Sequence, residues 1–163
     1  MSIRLYDAQN HHILLDGSDP NLHDKGTYTK AEAVQGTWIV YKKPEYNATY
    51  ENGAEPEYIR VIKPGDRKVD ISNFNSSIYH VPDDSNAIVM FQFKYYGGNQ
   101  KAYKEIQSEI TGYFPNGAFS LMVGDAKGWQ VYPKTNFGGT PELIAEGTDN
   151  PTTEFPVKSA KPF

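Results

Sequence analysis

Short apolar runs alternate along the chain with polar breaks rich in glycine and proline. "SIRLY", "TWIVYKK", "EYIRVI", "SSIYHV", "NAIVMFQFKYY", "AFSLMV" and "WQVY" are β-branched or aromatic and are bounded by Gly, Pro, Asn or Asp. Runs of that length and composition predict strands. Helical periodicity is scarce. "YTKAEAVQG" (28–36) and "KAYKEIQSEITGYF" (101–114) have room for a helical turn each. The chain reads as all-β.

A spacing recurs inside this pattern. Tyr132, Phe137 and Gly139 in "YPKTNFGG" share it with Phe91, Tyr96 and Gly98 in "FQFKYYGG". Tyr41, Tyr46 and Ala48 in "YKKPEYNA" follow the same spacing, with alanine in the glycine place. Tyr6 starts a degenerate copy, with His11 and Ile13 in the matching places. Two side chains five residues apart on a straight strand point to opposite faces. The spacing therefore predicts a hairpin that folds back and stacks the rings, with glycine where φ is positive.

Polar loops recur as well. "SNFNSSIYHV" (72–81) and "DNPTTEFPV" (149–157) each place an Asn, a hydroxyl three residues later, and then a strand. "PNGAFSLMV" (115–123) keeps Asn116 but has Phe119 in the hydroxyl place. "HDKGTY" offers Asp24 and Thr27 at the same interval. Taken singly, such residues also form Asx and Ser/Thr turns ahead of a strand.

The aromatic spacing resembles the signature of the βγ-crystallin Greek-key motif. The polar loops resemble that family's calcium loop, (Asn/Asp)-(Asn/Asp)-x-x-(Ser/Thr)-Ser. "SNFNSSIYHV" departs only at its first place, where Ser72 stands, and "DNPTTEFPV" departs at Glu154. The match covers the chain as four motifs and is weakest in the first. It implies two β-sandwich domains, 1–82 and 86–163, each built from two Greek-key motifs and joined through "VPDDSN" (81–86).

The resemblance also implies Ca2+ as ligand of a non-enzymatic structural protein, each site being shared between the two motifs of a domain. Carried over residue by residue, it implies one site from the Gln92 carbonyl, the Asn116 side chain, the Pro151 carbonyl and the Thr153 hydroxyl. A companion would use the Pro133 carbonyl, Asn150 and the Gly117 carbonyl, and lacks a hydroxyl because of Phe119. In the first domain the sets are the Asp7 carbonyl, Asp24, the Phe74 carbonyl and Ser76, and the Lys42 carbonyl, Asn73, the Lys25 carbonyl and Thr27. These two sets require "HDKGTY" to be the first motif's loop. "TYTKAE" also resembles a segment upstream of that loop in family members, and that alignment leaves only half-sites.

Composition narrows the remaining classes. The 163 residues contain no cysteine, which excludes disulfides and thiolate chemistry. The net charge of −4 and the lack of a basic block argue against nucleic acid. No apolar run approaches a membrane span, and the N-terminus shows no signal core, so the expectation is a cytoplasmic protein without a membrane partner. His11 and His12 are adjacent, so on a strand they would not chelate one metal. No nucleophile elbow, HExxH or phosphate loop is present. The competing reading is a carbohydrate- or protein-binding, lectin-like sandwich using exposed members of the 12 Tyr, 8 Phe and 2 Trp. A monomer with its domains paired within the chain is expected, because a short linker holds them at high effective concentration.

Overall fold

Alternation of inward apolar and outward polar side chains builds the strands. In β1 (Ser2–Tyr6) Ile3 and Leu5 are fully buried, while Ser2 and Arg4 remain partly accessible. The computed structural model describes residues 1–48 and 56–163, which divide into two compact units, 1–48 with 56–83, and 84–163.

The first unit continues with β2 (His12–Leu15), β3 (Lys30–Gln35), β4 (Trp38–Tyr41), β5 (Ile59–Ile62), β6 (Val69–Asp70) and β7 (Ser77–His80). They form one sheet in the order β2-β1-β3-β6 and another in the order β5-β4-β7. All the strand pairs are antiparallel. The short third strand of each Greek key crosses to the sheet of the other. β6 pairs with β3 through Lys30↔Asp70, while Asp19 forms a bridge to Ile78 on β7.

The second unit repeats this plan with β8 (Ile88–Phe91), β9 (Gln100–Tyr103), β10 (Ser120–Val123), β11 (Trp129–Tyr132), β12 (Glu142–Ile144), β13 (Asp149–Asn150) and β14 (Ser159–Pro162). Its sheets are β13-β10-β8-β9 and β12-β11-β14. Leu121↔Asn150 and the Gln107–Ala160 bridge are the corresponding crossings. Each unit is thus a pair of Greek keys closed into a sandwich around its own core.

The two cores match in kind. Trp38, Ile3, Leu5, Ile62, Ile71 and Ile78 anchor the first, and Trp129, Ile88, Phe114, Leu121, Val131 and Val157 are fully buried in the second. Burying a large apolar side chain contributes roughly 1.5–3 kcal/mol, so these residues supply most of the drive to form each sandwich.

Of the two segments with room for a helical turn, one is a strand and the other holds a single turn. Residues 30–35 are strand β3, which lies between β1 and β6 and buries Ala31 and Ala33. Residues 100–103 are strand β9, and 110–114 make one helical turn, the Phe114 N–H donating to the Ile110 carbonyl at 2.9 Å. The helix-favouring Lys, Ala, Glu and Gln of "KAEAVQ" are overridden by ladder pairing on both edges.

Candidate metal centre

Three hairpins fold back as their spacing predicts. The Tyr41–Tyr46, Phe91–Tyr96 and Tyr132–Phe137 rings meet edge to face, with centroids 5.7, 5.2 and 5.6 Å apart. The chain reverses through left-handed residues at Glu45–Tyr46, Tyr95–Tyr96 and Asn136–Phe137. Gly98 closes the second of these turns with φ +76°, and a Cβ there would stand 2.7 Å from the Phe93 ring. Ala48 is tolerated because its own φ is −59° and Asn47 takes the positive φ instead. The buried Asn47 carboxamide accepts the Lys43 N–H and donates to the Tyr58 carbonyl. In the degenerate first copy Tyr6 meets His12, at 5.4 Å, rather than His11. His11 Nδ1 turns to the Asp7 carboxylate at 3.2 Å, so the two imidazoles do not converge.

One serine holds each of the three hairpins. Ser77 Oγ accepts the Tyr46 N–H and donates to the Lys43 carbonyl. Ser120 does the same between Tyr96 and Phe93, and Ser159 between Phe137 and Lys134. All three serines are fully buried, and each opens the last strand of its motif. The residue before each serine donates its N–H to the first aromatic's carbonyl. The pairs are Ser76 to Tyr41, Phe119 to Phe91 and Lys158 to Tyr132, at 3.1, 3.0 and 2.8 Å. In the first motif Thr29 donates likewise to Tyr6 at 2.8 Å, and Lys30 takes the serine's place.

This alignment fixes the loop frame in every motif. The hydroxyl place is held by Thr29, Ser76, Phe119 and Lys158. Two of these side chains reach the carbonyl that follows their own motif's first aromatic. Ser76 Oγ donates to the Lys42 carbonyl at 2.7 Å, and Thr29 Oγ1 lies 3.4 Å from the Asp7 carbonyl. Both pairs belong to the first unit.

The residues expected to bind metal are therefore grouped differently. Ser76 sits with the Lys42 carbonyl rather than with Asp7, and His23 Nε2 lies 3.1 Å from its oxygen. Asp7 uses its carboxylate to accept the N–H groups of Gln9 and His11, and its carbonyl accepts from Asn10. Asp24 ends a short 3-10 turn, Leu22–Asp24, and accepts from the Asn21 carboxamide at 2.8 Å. The Lys25 carbonyl accepts the Tyr28 hydroxyl at 2.7 Å. Thr27 is exposed and lies two residues ahead of Thr29. Asn73 is exposed and Phe74 is packed in the first core.

In the second unit Gln92, Asn116 and Gly117 line one cavity together with Phe119. Pro151 and Thr153 serve the adjoining backbone. The Pro151 carbonyl accepts the Tyr95 N–H at 2.7 Å, and Thr153 N–H donates to the Phe119 carbonyl at 3.0 Å. The Thr153 hydroxyl, in a residue only 8% exposed, donates to the Phe155 carbonyl. Asn150 closes an Asx turn by accepting the Thr152 N–H at 3.2 Å. Asp70 makes a turn of the same kind with Ser72 after the third strand of the second motif. "DNPTT" is thus the turn that follows a third strand, and Pro133 and Lys158 occupy the carbonyl and hydroxyl places of the fourth motif.

The three serine clamps, His23 and Thr29 were not singled out by spacing. The signal that finds the clamps is a serine at the first residue of a strand following a polar loop.

No family model and no curated protein matches the chain. Among solved structures it is similar to geodin, a beta-gamma crystallin from Geodia cydonium, with a TM-score of 0.82 at 14% identity. That match covers 99% of this chain and 98% of geodin. A beta gamma crystallin from Ciona intestinalis matches 47% of this chain and 99% of its own, with TM-score 0.42 and 19% identity. The fifth crystallin domain of the non-lens protein Absent in melanoma 1 matches 48% of this chain and 88% of its own, with TM-score 0.42 and 24% identity.

Proposed function

From the premise of a βγ-crystallin fold in both units, we propose that this chain is a non-enzymatic structural protein that binds calcium weakly in its first unit. The observation that carries this reading is the pair of hydroxyl–carbonyl contacts, Ser76 with Lys42 and Thr29 with Asp7. Calcium takes six to eight oxygen ligands and accepts carbonyls, hydroxyls and amides. A carbonyl and a hydroxyl already within hydrogen-bond distance need only small rotations to face a cation. The second unit lacks the pairing: Phe119 brings a ring and Lys158 a positive charge to the hydroxyl place.

No carboxylate is among these four oxygens, so most of the affinity has to come from neutral dipoles and bound water. A dissociation constant on the order of 10⁻⁵–10⁻³ M follows. Calcium would replace the Ser76–Lys42 hydrogen bond, tie the loop to its hairpin and stiffen the first unit. Its role is stabilisation rather than chemistry.

Calorimetric titration tests the reading. Calcium heat in the native chain should fall in Ser76→Ala and Thr29→Val and persist in Thr153→Val. Absence of heat at millimolar calcium would remove the calcium assignment. Loss of heat only in Thr153→Val would return the site to the second unit.

A further inference from the structure

In the second unit the notch between the hairpin at 92–98 and the loop at 114–119 is a cavity of about 350 Å³. At the equivalent place in the first unit Ser76 bonds the Lys42 carbonyl. Here Phe119 and Phe93 are half-buried at the rim, while Phe114 is fully buried beneath. We propose that this notch is a binding site for a neutral pyranose ring of a glycan.

Its lining sets the class of ligand. Two aromatic rings and Pro115 offer flat apolar surface, and Gln92 and Asn116 add two carboxamides. Among the described residues no charged side chain lines the cavity. The hydroxyl that the first unit offers a cation is replaced here by the Phe119 ring. A purely apolar side chain would cover the carboxamides and leave their hydrogen bonds unmade. A pyranose presents a C–H face to an aromatic ring and a hydroxyl edge to amides, and so matches both surfaces. Apolar walls with a few fixed polar groups are the usual composition of a small-molecule site.

The walls are also held in place. Gly98 leaves room for Phe93, whose ring would be 2.7 Å from a Cβ there. Phe119 is tied at both backbone groups, its N–H to Phe91 and its carbonyl to Thr153. Gln92 Oε1 accepts the Asn99 N–H at 3.2 Å, and its NH₂ makes no hydrogen bond among the described residues. The Asn116 carboxamide makes no hydrogen bond among the described residues, so both its donor and its acceptor are available.

The test is a ¹H–¹⁵N NMR titration of the full chain in EDTA, so that its outcome is separate from the calcium reading. The probes are methyl β-D-glucopyranoside, methyl β-D-galactopyranoside and methyl α-D-mannopyranoside, each to about 50 mM, in the range where single sugars bind. At least one should shift the Asn116 and Gln92 side-chain amides saturably. Phe119→Ser should weaken that binding about tenfold or more, a change of one logarithmic unit in the dissociation constant. Asn116→Ala, at an exposed position, provides the same test if the Phe119 variant unfolds. No shift with any of the three sugars would overturn the proposal. So would saturable binding of N-acetylphenylalaninamide in their place, or sugar shifts unchanged by both variants.

Discussion

Replacing Ser120 by alanine removes one oxygen and leaves two backbone groups without their partner. The Tyr96 N–H donates to that oxygen at 2.9 Å, and the oxygen donates to the Phe93 carbonyl at 2.6 Å. Ser120 is fully buried and Tyr96 nearly so, at 3% exposure. Water therefore cannot readily take the place of the hydroxyl at the Tyr96 amide. A buried group left unsatisfied costs about 1–3 kcal/mol. The Phe93 carbonyl belongs to a half-buried residue and recovers part of its loss from solvent. The sum is about 2–4 kcal/mol, the Tyr96 amide contributing most of it. For a unit of this size about 4–8 °C of melting temperature accompany each kcal/mol. The second unit should therefore melt ~10–25 °C lower in Ser120→Ala, followed by calorimetry or by near-ultraviolet circular dichroism. Ser108→Ala, at an exposed serine of the same unit, is the control and should melt with the parent. A destabilisation under ~0.5 kcal/mol, an ordinary surface effect, would refute the clamp as the element that fixes the hairpin.

The same hairpins support three further expectations. Gly98→Ala should destabilise the second unit by about 1–3 kcal/mol in denaturant unfolding, from left-handed strain together with contact on the Phe93 ring; a neutral result would mean that the ring yields freely. A double-mutant cycle with Tyr132→Leu and Phe137→Leu should return a coupling of about 0.5–1.5 kcal/mol, and additivity would show the edge-to-face contact to be worth only its buried area. Burial holds the His80 imidazole below its ordinary range, helped by the N-terminal charge and opposed by Asp83; its buried Nε2 has no hydrogen-bond partner among the described residues, and its ring lies 4.7 Å from Trp38. The folded state then binds fewer protons than the unfolded one, so His80's contribution is complete above the unfolded pKa of about 6.5 and is lost as pH falls through the lower folded value. Melting of His80→Gln should accordingly show a smaller drop between pH 7.5 and 5.5 than the parent, and equal drops would assign the acid sensitivity elsewhere.

Much of the fold was legible because it rests on side-chain identity at short range. The aromatic pairs lie five residues apart within one hairpin, and the apolar runs of β4, β8, β10 and β11 carry their own signal. β3 was harder to see. "KAEAVQ" favours a helix locally, and only its pairing with β1 and β6 makes it a strand. The candidate site was legible in part. The resemblance points to both Ser76 and the Lys42 carbonyl, but in different sets, because spacing does not reveal that a loop residue returns to its own hairpin.

The loop frame of the fourth motif shows the limit most clearly. Asn followed by a hydroxyl residue forms an Asx turn as readily as an ion loop, and Asn150 with Thr152 makes such a turn. The residue that sets the frame is Ser159, whose role depends on contacts with Lys134 and Phe137 across the hairpin. The segment between hairpin and serine differs in length from motif to motif, so counting from the aromatic start cannot find it. Spacing marks Phe119 only as a missing hydroxyl, while in the fold it lines a cavity.

Amide hydrogen exchange with and without calcium measures the central claim unit by unit. A site 100-fold below the calcium concentration stabilises the state that binds it by about 2.7 kcal/mol. Globally exchanging amides of β1, β3, β4 and β7 should slow by up to about 100-fold, while those of β8, β10, β11 and β14 keep their rates. Slowing confined to the second unit, or equal in both, would contradict the assignment of calcium to the Thr29 and Ser76 loops.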